Sequence, residues 1–510
     1  MDSDPLHVAT MLSIEWWVHT WLSSPSMRGL LTKAWAAAKV IVRHPEGGNI
    51  QAGIRPRLVV KDNTNNWSKV RGPLATTICN LRRVGWVCEH PDKWVDALGQ
   101  AWSLTLDPTG ARDLTAALSR DIATYLFGQA AKHRFSSGIE DGLDLEPIQK
   151  HLNQLTKKGE YQSRGLLVAI ATGGLWPNAR VAEAQTAEGD EAVSPKCPLC
   201  GHPCQDEMHC AWGCPVINKS EDPRIQKTNK LAKAAFKDQA NGQNMIYWVR
   251  GLTPANRFPQ RVLNTRKPIG FGDEYALRNA NRYATDGSGG KYSRDPRLRG
   301  CGAGIAVTND EPHEALLKIV AGVTALVPGN QTVPRAELLA VCIVLEIACK
   351  PFTTIIVDAT YIIKGLAKGK LPTCSGDNSD LWKRLWKALD KRGGPETINV
   401  VKVPSHVTQE QIQNGTVPYD LAYMNECADK FAGAAAQEQE PAKEFVDWVN
   451  FVRARSRMIQ NRLLAVNEIL LQESSPKRTK RPKPQIASTS TADRVADLWT
   501  LGHYIHSQGF

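Results

Sequence analysis

Four carboxylates set along one segment restrict this chain's fold more than any other feature. The stretch Tyr283-Ala284-Thr285-Asp286-Gly287-Ser288-Gly289-Gly290 has an apolar, β-favouring approach ending in an acid, after which glycines allow a sharp turn. Downstream, Glu337 opens the apolar helical pattern Pro334-Arg335-Ala336-Glu337-Leu338-Leu339-Ala340-Val341. Asp358 ends the apolar run Thr354-Ile355-Ile356-Val357. Asp429 stands in Asn425-Glu426-Cys427-Ala428-Asp429-Lys430-Phe431-Ala432, with His406 ahead of it in Val403-Pro404-Ser405-His406. Each acid alone is ordinarily a solvated surface group, and Asp-Gly-Ser is common in simple turns. As a set they read as ligands for a divalent metal, because like charges drawn together need a cation between them.

The pattern around these acids alternates. Residues 281–285, 303–307 and 315–320 read as strands, 336–349 as a helix and 353–357 as a fourth strand. A short helix at 360–366, a longer one at 378–392, a fifth strand at 398–403 and a helix at 425–435 complete the segment. Three early strands and then helix–strand–helix–strand–helix make a mixed five-stranded sheet flanked by helices, of α+β or α/β class.

A second constellation lies upstream. Cys197-Pro198-Leu199-Cys200, His209 and Cys214 have the spacing C-x2-C-x8-H-x4-C, and Gly201 lets the backbone turn beneath a metal. Five of the twelve cysteines fall between Cys197 and Cys214, a clustering that suits metal binding in a reducing compartment rather than a disulfide scaffold. Three thiolates and one imidazole close a tetrahedral zinc site that is structural rather than catalytic. Cys204, Cys210 and His202 compete for the fourth place, and chance clustering is the bland alternative.

The remaining organisation follows composition. Residues 1–190 read as mostly helical, with helices at 14–22, 27–42, 74–84, 93–104, 111–132, 145–157 and 163–172 and a short strand at 57–60. Trp16, Trp21, Trp35, Trp86, Trp94 and Trp102 read as core anchors rather than a base-stacking surface. Residues 191–220 form the Cys/His knuckle, and 221–277 a linker with a helix at 223–239 and an apolar patch at 245–249. After the alternating region at 278–438 come an amphipathic helix at 439–473 and a basic, proline-rich, flexible tail at 474–510. A net charge of +12 and a pI near 9.1 favour a polyanionic partner, nucleic acid first. Lacking a long apolar run and the basic-then-apolar start of a signal peptide, the chain is expected inside the cell, nuclear or cytoplasmic, with no membrane partner.

The series Thr285-Asp286-Gly287-Ser288, Arg335-Ala336-Glu337-Leu338, Val357-Asp358-Ala359, Ser405-His406 and Asn425-Glu426-Cys427-Ala428-Asp429 resembles type 1 ribonuclease H. The resemblance covers residues 278–438 and implies strand order 3-2-1-4-5. It also implies cleavage of the RNA strand of RNA–DNA hybrids with two Mg²⁺ ions, Mn²⁺ being an alternative. Asp286, Glu337, Asp358 and Asp429 would be the metal ligands, and His406 a proton shuttle. The wider layout is similar to the C-terminal part of a non-LTR retrotransposon polyprotein, where a helical segment after the reverse transcriptase leads to a Cys/His knuckle. Gly173-Gly174-Leu175-Trp176 ahead of the cysteines looks like that junction, and no Tyr/Phe-x-Asp-Asp polymerase motif occurs.

Three departures stand out. Residues 409–423 look like an insertion between His406 and Asp429, and no separate basic handle helix is present. Lys383, Arg384, Lys387, Lys391 and Arg392 are candidate substitutes for that handle, and Asp295 is an extra acid that reads as solvent-facing. Hybrid recognition is expected to rest on shape, with Ser288, Gly289 and Gly290 allowing close approach and with strong salt dependence. The competing reading is a catalytically inactive nucleic-acid-binding remnant of a retroelement; a different metal nuclease, integrase-like or resolvase-like, is a third.

Overall fold

Apolar runs bounded by glycine and acid make the strands of a six-stranded mixed sheet. The computed structural model describes residues 5–41, 72–104, 108–133, 135–184, 193–309, 316–405 and 407–473. The strands are β1 (Ile269–Gly272), β2 (Arg282–Ser288), β3 (Gly302–Thr308), β4 (Ile319–Leu326), β5 (Thr353–Val357) and β6 (Ile398–Lys402). Their order across the sheet is β6-β5-β2-β3-β4-β1. β2 runs antiparallel to β3 and parallel to β5, and β6 continues the parallel half.

The expected order is contained in this sheet, but the expected count of five is one short. The extra strand, β1, lies in the segment read as linker. Half of its sequence Ile269-Gly270-Phe271-Gly272 is glycine, which has little strand propensity, and a Cβ on Gly272 (φ +82°) would come within 2.2 Å of the Val320 carbonyl oxygen. Only glycine lets this edge strand pair. The third expected strand is also shifted: it begins at Ile319 rather than 315.

Five helices matter to the site: α1 (Val333–Ile347), α2 (Thr360–Lys368), α3 (Ser379–Arg392), α4 (Tyr419–Glu438) and α5 (Lys443–Glu473). Side chains alternate across each strand, so the sheet builds two cores. Tyr283, Ala303, Ile305 and Val323 pack with Leu338, Val341, Leu385 and Trp386 of α1 and α3. Ala284, Ala306 and Ile356 pack instead with Met424, Cys427 and Ala428 of α4.

The second contact is unusually close. A Cβ on Gly304 would sit 2.2 Å from the Ala428 carbonyl oxygen, and one on Gly302 would sit 2.2 Å from the Ala436 nitrogen. Backbone, not side chain, is what α4 rests on. Gly304→Ala is therefore expected to cost roughly 3 kcal/mol, the upper part of the usual range for overpacking. Urea unfolding should register it, and an unchanged midpoint would contradict this account.

Upstream helices Pro5–Ser23, Arg28–Ile41, Gly72–Arg83 and Pro108–Ala131 enclose a core of Trp17, Trp21, Trp35, Trp86 and Trp94. Trp16, expected in the core, is exposed, and its neighbour Trp17 takes that place. The helix expected at 93–104 is instead a hairpin of Lys93–Val95 and Ala101–Ser103. Asp96 explains the difference: its Oδ1 accepts the backbone N–H groups of Leu98 and Gln100 at 2.9 and 2.8 Å, fixing a turn that Gly99 completes at φ +86°. Asp295 is not solvent-facing. It accepts from both terminal nitrogens of Arg453 at 2.6 and 3.0 Å, and Arg453 also reaches Glu146.

By contact density the chain divides into two units. The first comprises Met1–Gln149, Asp238–Tyr247 and Leu252–Arg457; the second comprises Lys150–Lys237, Trp248–Gly251 and Met458–Phe510. The second unit is organised on Arg462, which is fully buried. Its guanidinium donates to the carbonyls of Ala211 and Ile225 and to Thr228, Asn229 and Asn218, and it lies 4.4 Å over the Trp212 ring. This explains why 223–239 is not one helix. It breaks into Pro223–Gln226, Asn229–Leu231 and Ala232–Ala240, and the break turns Ile225, Thr228 and Asn229 toward the buried charge. The apolar patch at 245–249 is the buried helix Met245–Arg250. The strand expected at 57–60 and the basic tail at 474–510 lie outside the described residues. No described helix is long and apolar enough to cross a membrane.

Candidate metal centres

Asp286 occupies the central strand β2, one residue past the point where Thr285 pairs with Val357 of the parallel strand β5. Asp358 immediately follows β5, so sheet register alone brings these two acids side by side. Gly287 brings the third. A Cβ there would lie 2.6 Å from the backbone nitrogen of Glu337 and 2.8 Å from the Ala336 Cβ, so the bare backbone seats the first turn of α1 against β2. Asp286, Glu337 and Asp358 each offer a carboxylate oxygen, all within 4.8 Å of one another. Asp286 is 6% exposed and Glu337 4%, whereas Asp358 is half-buried.

Such a group is electrostatically unsettled by itself. Burial first, and then the charges of Asp358 and Asp429, push the Asp286 carboxyl up to about 7. Burial, followed by Asp286 and Asp358, holds Glu337 well above the ordinary carboxylate range. Glu337 Oε2 is buried and finds no hydrogen-bond partner among the described residues. An orphaned oxygen facing two further carboxylates suits a hard divalent cation. Asp429, on α4, is exposed and stands outside the close group of three, although its charge reaches Asp286. His406 lies outside the described residues.

The Cys/His group is built from two short pieces. Gly201, at φ +74°, lets its N–H reach the Cys197 carbonyl at 2.9 Å while the Cys197 N–H reaches the His202 carbonyl at 2.8 Å. The π-helical turn His209–Gly213 supplies the rest, with Asp206 accepting the His209 N–H at 2.7 Å. One ligand atom each from Cys197, Cys200, His209 and Cys214 gathers within 4.8 Å. Cys200 Sγ and His209 Nε2 are 3.3 Å apart. Among the competing residues, His202 directs its Nδ1 to the Cys204 carbonyl and stacks on His209, and neither Cys204 nor Cys210 joins the group. Burial, with His202 nearby, keeps the His209 imidazole below its ordinary pKa and therefore neutral, as a ligand must be. Burial pushes the Cys214 thiol up to about 11, a cost that coordination to a cation removes.

Some residues singled out in the sequence serve the scaffold instead. Arg384 pairs with Glu346, and Arg392 donates to the carbonyls of Ala348 and Lys350, so neither is a free phosphate contact. Gly289 and Gly290 are bare for internal reasons. A Cβ on Gly289 would meet Ser293 at 2.9 Å, and one on Gly290 would meet the Gly300 carbonyl at 3.1 Å. The segment 409–423 folds into the helix Gln409–Gln413 and the first turn of α4, where Asp420 pairs with Arg282. The role of Gly287 had no signal of its own in the sequence beyond its place after an acid.

A strand-ordered mixed sheet with acids on its central pair is the architecture of a ribonuclease H-like fold. The RNase H family model matches residues 279–437, and the chain carries an RNase H domain there. No curated protein matches the chain. Among solved structures it is similar to the PFV RNase H domain, at 21% identity over 31% of this chain and 96% of that one, with a TM-score of 0.25. It is also similar to LC9-RNase H1, a type 1 RNase H with the type 2 active-site motif, at 19% identity over 35% and 85% of the two chains, TM-score 0.24. A third is the foamy viral protease-reverse transcriptase in complex with an RNA/DNA hybrid: 20% identity, 35% of this chain, 22% of that chain, TM-score 0.23.

Proposed function

We propose that this chain cleaves the RNA strand of RNA–DNA hybrids endonucleolytically with two Mg²⁺ ions, as part of a retrotransposon-derived protein. The observation that carries the reading is the buried, partnerless Glu337 Oε2 beside Asp286 and Asp358. These three acids would hold the ions, with Asp429 completing the set from α4; Mn²⁺ would serve in their place. Bound there, the metal supplies charge neutralisation at the phosphate and an activated water.

The chain's own residues orient that chemistry. The Gly287 N–H donates to Asp286 Oδ1 at 2.7 Å and fixes the carboxylate's rotation. Buried Asp286 and Glu337 form a dry floor, and the more exposed Asp358 and Asp429 leave an open side for a polymer to enter. His406 is assigned the transfer of a proton as product leaves. In the second unit Cys197, Cys200, His209 and Cys214 would hold a structural zinc, their four ligands leaving no open position.

The test is cleavage of a labelled RNA–DNA hybrid in Mg²⁺ by wild type and Glu337→Gln, with single-stranded and duplex RNA as controls. Hybrid-selective cutting that disappears in the variant is expected. Binding without cutting by the wild type would replace this reading with the inactive remnant.

A further inference from the structure

The second unit contains a cavity of about 400 Å³ that the nuclease chemistry does not use. Its apolar wall includes Leu463, Val466 and Leu470 of α5, and its polar wall carries Trp176, Arg180 and Arg250. Trp176 is 51% exposed, and the Arg180 guanidinium lies 4.4 Å over its ring. Arg180 is held by the Gly173 carbonyl at 3.2 Å and by Glu207 at 4.0 Å. Arg250 differs. Among the described residues no hydrogen bond or ion pair holds its guanidinium, and the neighbouring charge of Arg180 repels it. Gly173, at φ +69°, stands bare against it, since a Cβ there would fall 2.7 Å from Arg250 Cζ.

We infer that this cavity binds single-stranded nucleic acid, a base stacking on the Trp176–Arg180 pair and a phosphate meeting Arg250. An aromatic face already paired with a guanidinium offers a platform that accepts any base. Two arginines against one glutamate leave the cavity with a net positive charge, and an unsatisfied guanidinium half-sheltered from water is complementary to a phosphodiester oxygen. The volume falls within the range of pockets that enclose small organic ligands, which begins at about 300 Å³. The strand bound here is a ligand separate from the hybrid that the carboxylates would act on.

The experiment is fluorescence anisotropy of a labelled single-stranded 20-mer against the full chain across a series of salt concentrations. Wild type is compared with Trp176→Ala and Arg250→Gln. Each variant should bind roughly tenfold more weakly. The two must differ in salt response: Arg250→Gln should reduce the slope of log K against log salt by about 0.7, and Trp176→Ala should leave it unchanged. Hydrogen-exchange protection of the Cys197–Cys214 segment, measured on each variant, separates loss of the site from loss of the fold. Folded variants that bind the strand as tightly as wild type would overturn the assignment.

Discussion

Asp286→Asn should abolish Mg²⁺-dependent hybrid cleavage and, in metal-free buffer at pH 8, raise the melting temperature of the domain. The loss of activity should exceed the roughly 10- to 100-fold that removal of an outer-shell partner costs at a metal site. The gain in stability follows from the raised pKa. Folding moves the Asp286 carboxyl from its ordinary 3.8 to about 7, so between those values the folded chain holds a proton that the unfolded chain releases. Stability without metal therefore falls as pH rises through that window, and above it the domain carries the full penalty of an ionised, crowded acid. That penalty is a few kcal/mol at most, given about 1.4 kcal/mol per pKa unit. Removing the charge relieves it. Wild type in buffer without added Mg²⁺ should melt higher at pH 5 than at pH 8, the variant should show a flatter profile, and Mg²⁺ should restore wild type alone. A pH-independent wild-type melting temperature would show that the three acids do not crowd one another as described.

Chelating the zinc proposed for the second unit should have the larger structural effect. In small zinc modules on the order of 10 kcal/mol of apparent binding energy at neutral pH is folding energy. Here Cys214 is fully buried and packs with Ile217, Ile225, Ala465 and Val466, so its segment joins the core through a ligand residue. Without a cation, three thiols and an imidazole converge without the bonds that a metal would supply. Chelation, or Cys214→Ser, should therefore abolish amide protection from Cys197 to Cys214 while the tryptophan-rich helices of the first unit keep theirs. Hydrogen exchange with mass spectrometry measures both regions at once, and metal analysis should give one zinc per chain. Full protection in a metal-free chain would refute the zinc assignment.

The sequence disclosed the central sheet well because its signals were local. Thr353–Val357 is an uninterrupted β-branched run followed by an acid, and it forms a strand with those same bounds. Of the four acids read from the sequence, Asp286, Glu337 and Asp358 converge, and of these only Asp358 stands at the boundary of an element. What stayed hidden depends on distant contacts. β1 is a strand only because Ala321 and its neighbours offer an edge to glycines that have no propensity of their own. The break in the expected helix at 223–239 answers to Arg462, more than two hundred residues downstream. Asp295 became an ion-pair partner for a similarly remote reason, and the 93–104 segment turned on a single aspartate's two backbone contacts.

The tryptophan core of the first unit also has an optical meaning. Ring centroids are 4.7 Å apart for Trp17 and Trp35, 6.3 Å for Trp35 and Trp94, and 6.4 Å for Trp86 and Trp102. Each of these indoles is oriented by its own N–H, donated to Pro91, Cys88, His90, Asp121 or Asp96. Indoles so near and so fixed in angle couple electronically, and near-UV circular dichroism reads that coupling. The second unit holds its own isolated, edge-on pair, Trp212 and Trp248, 5.3 Å apart. Each unit thus carries a tryptophan cluster of its own that serves as an intrinsic probe, with no added label.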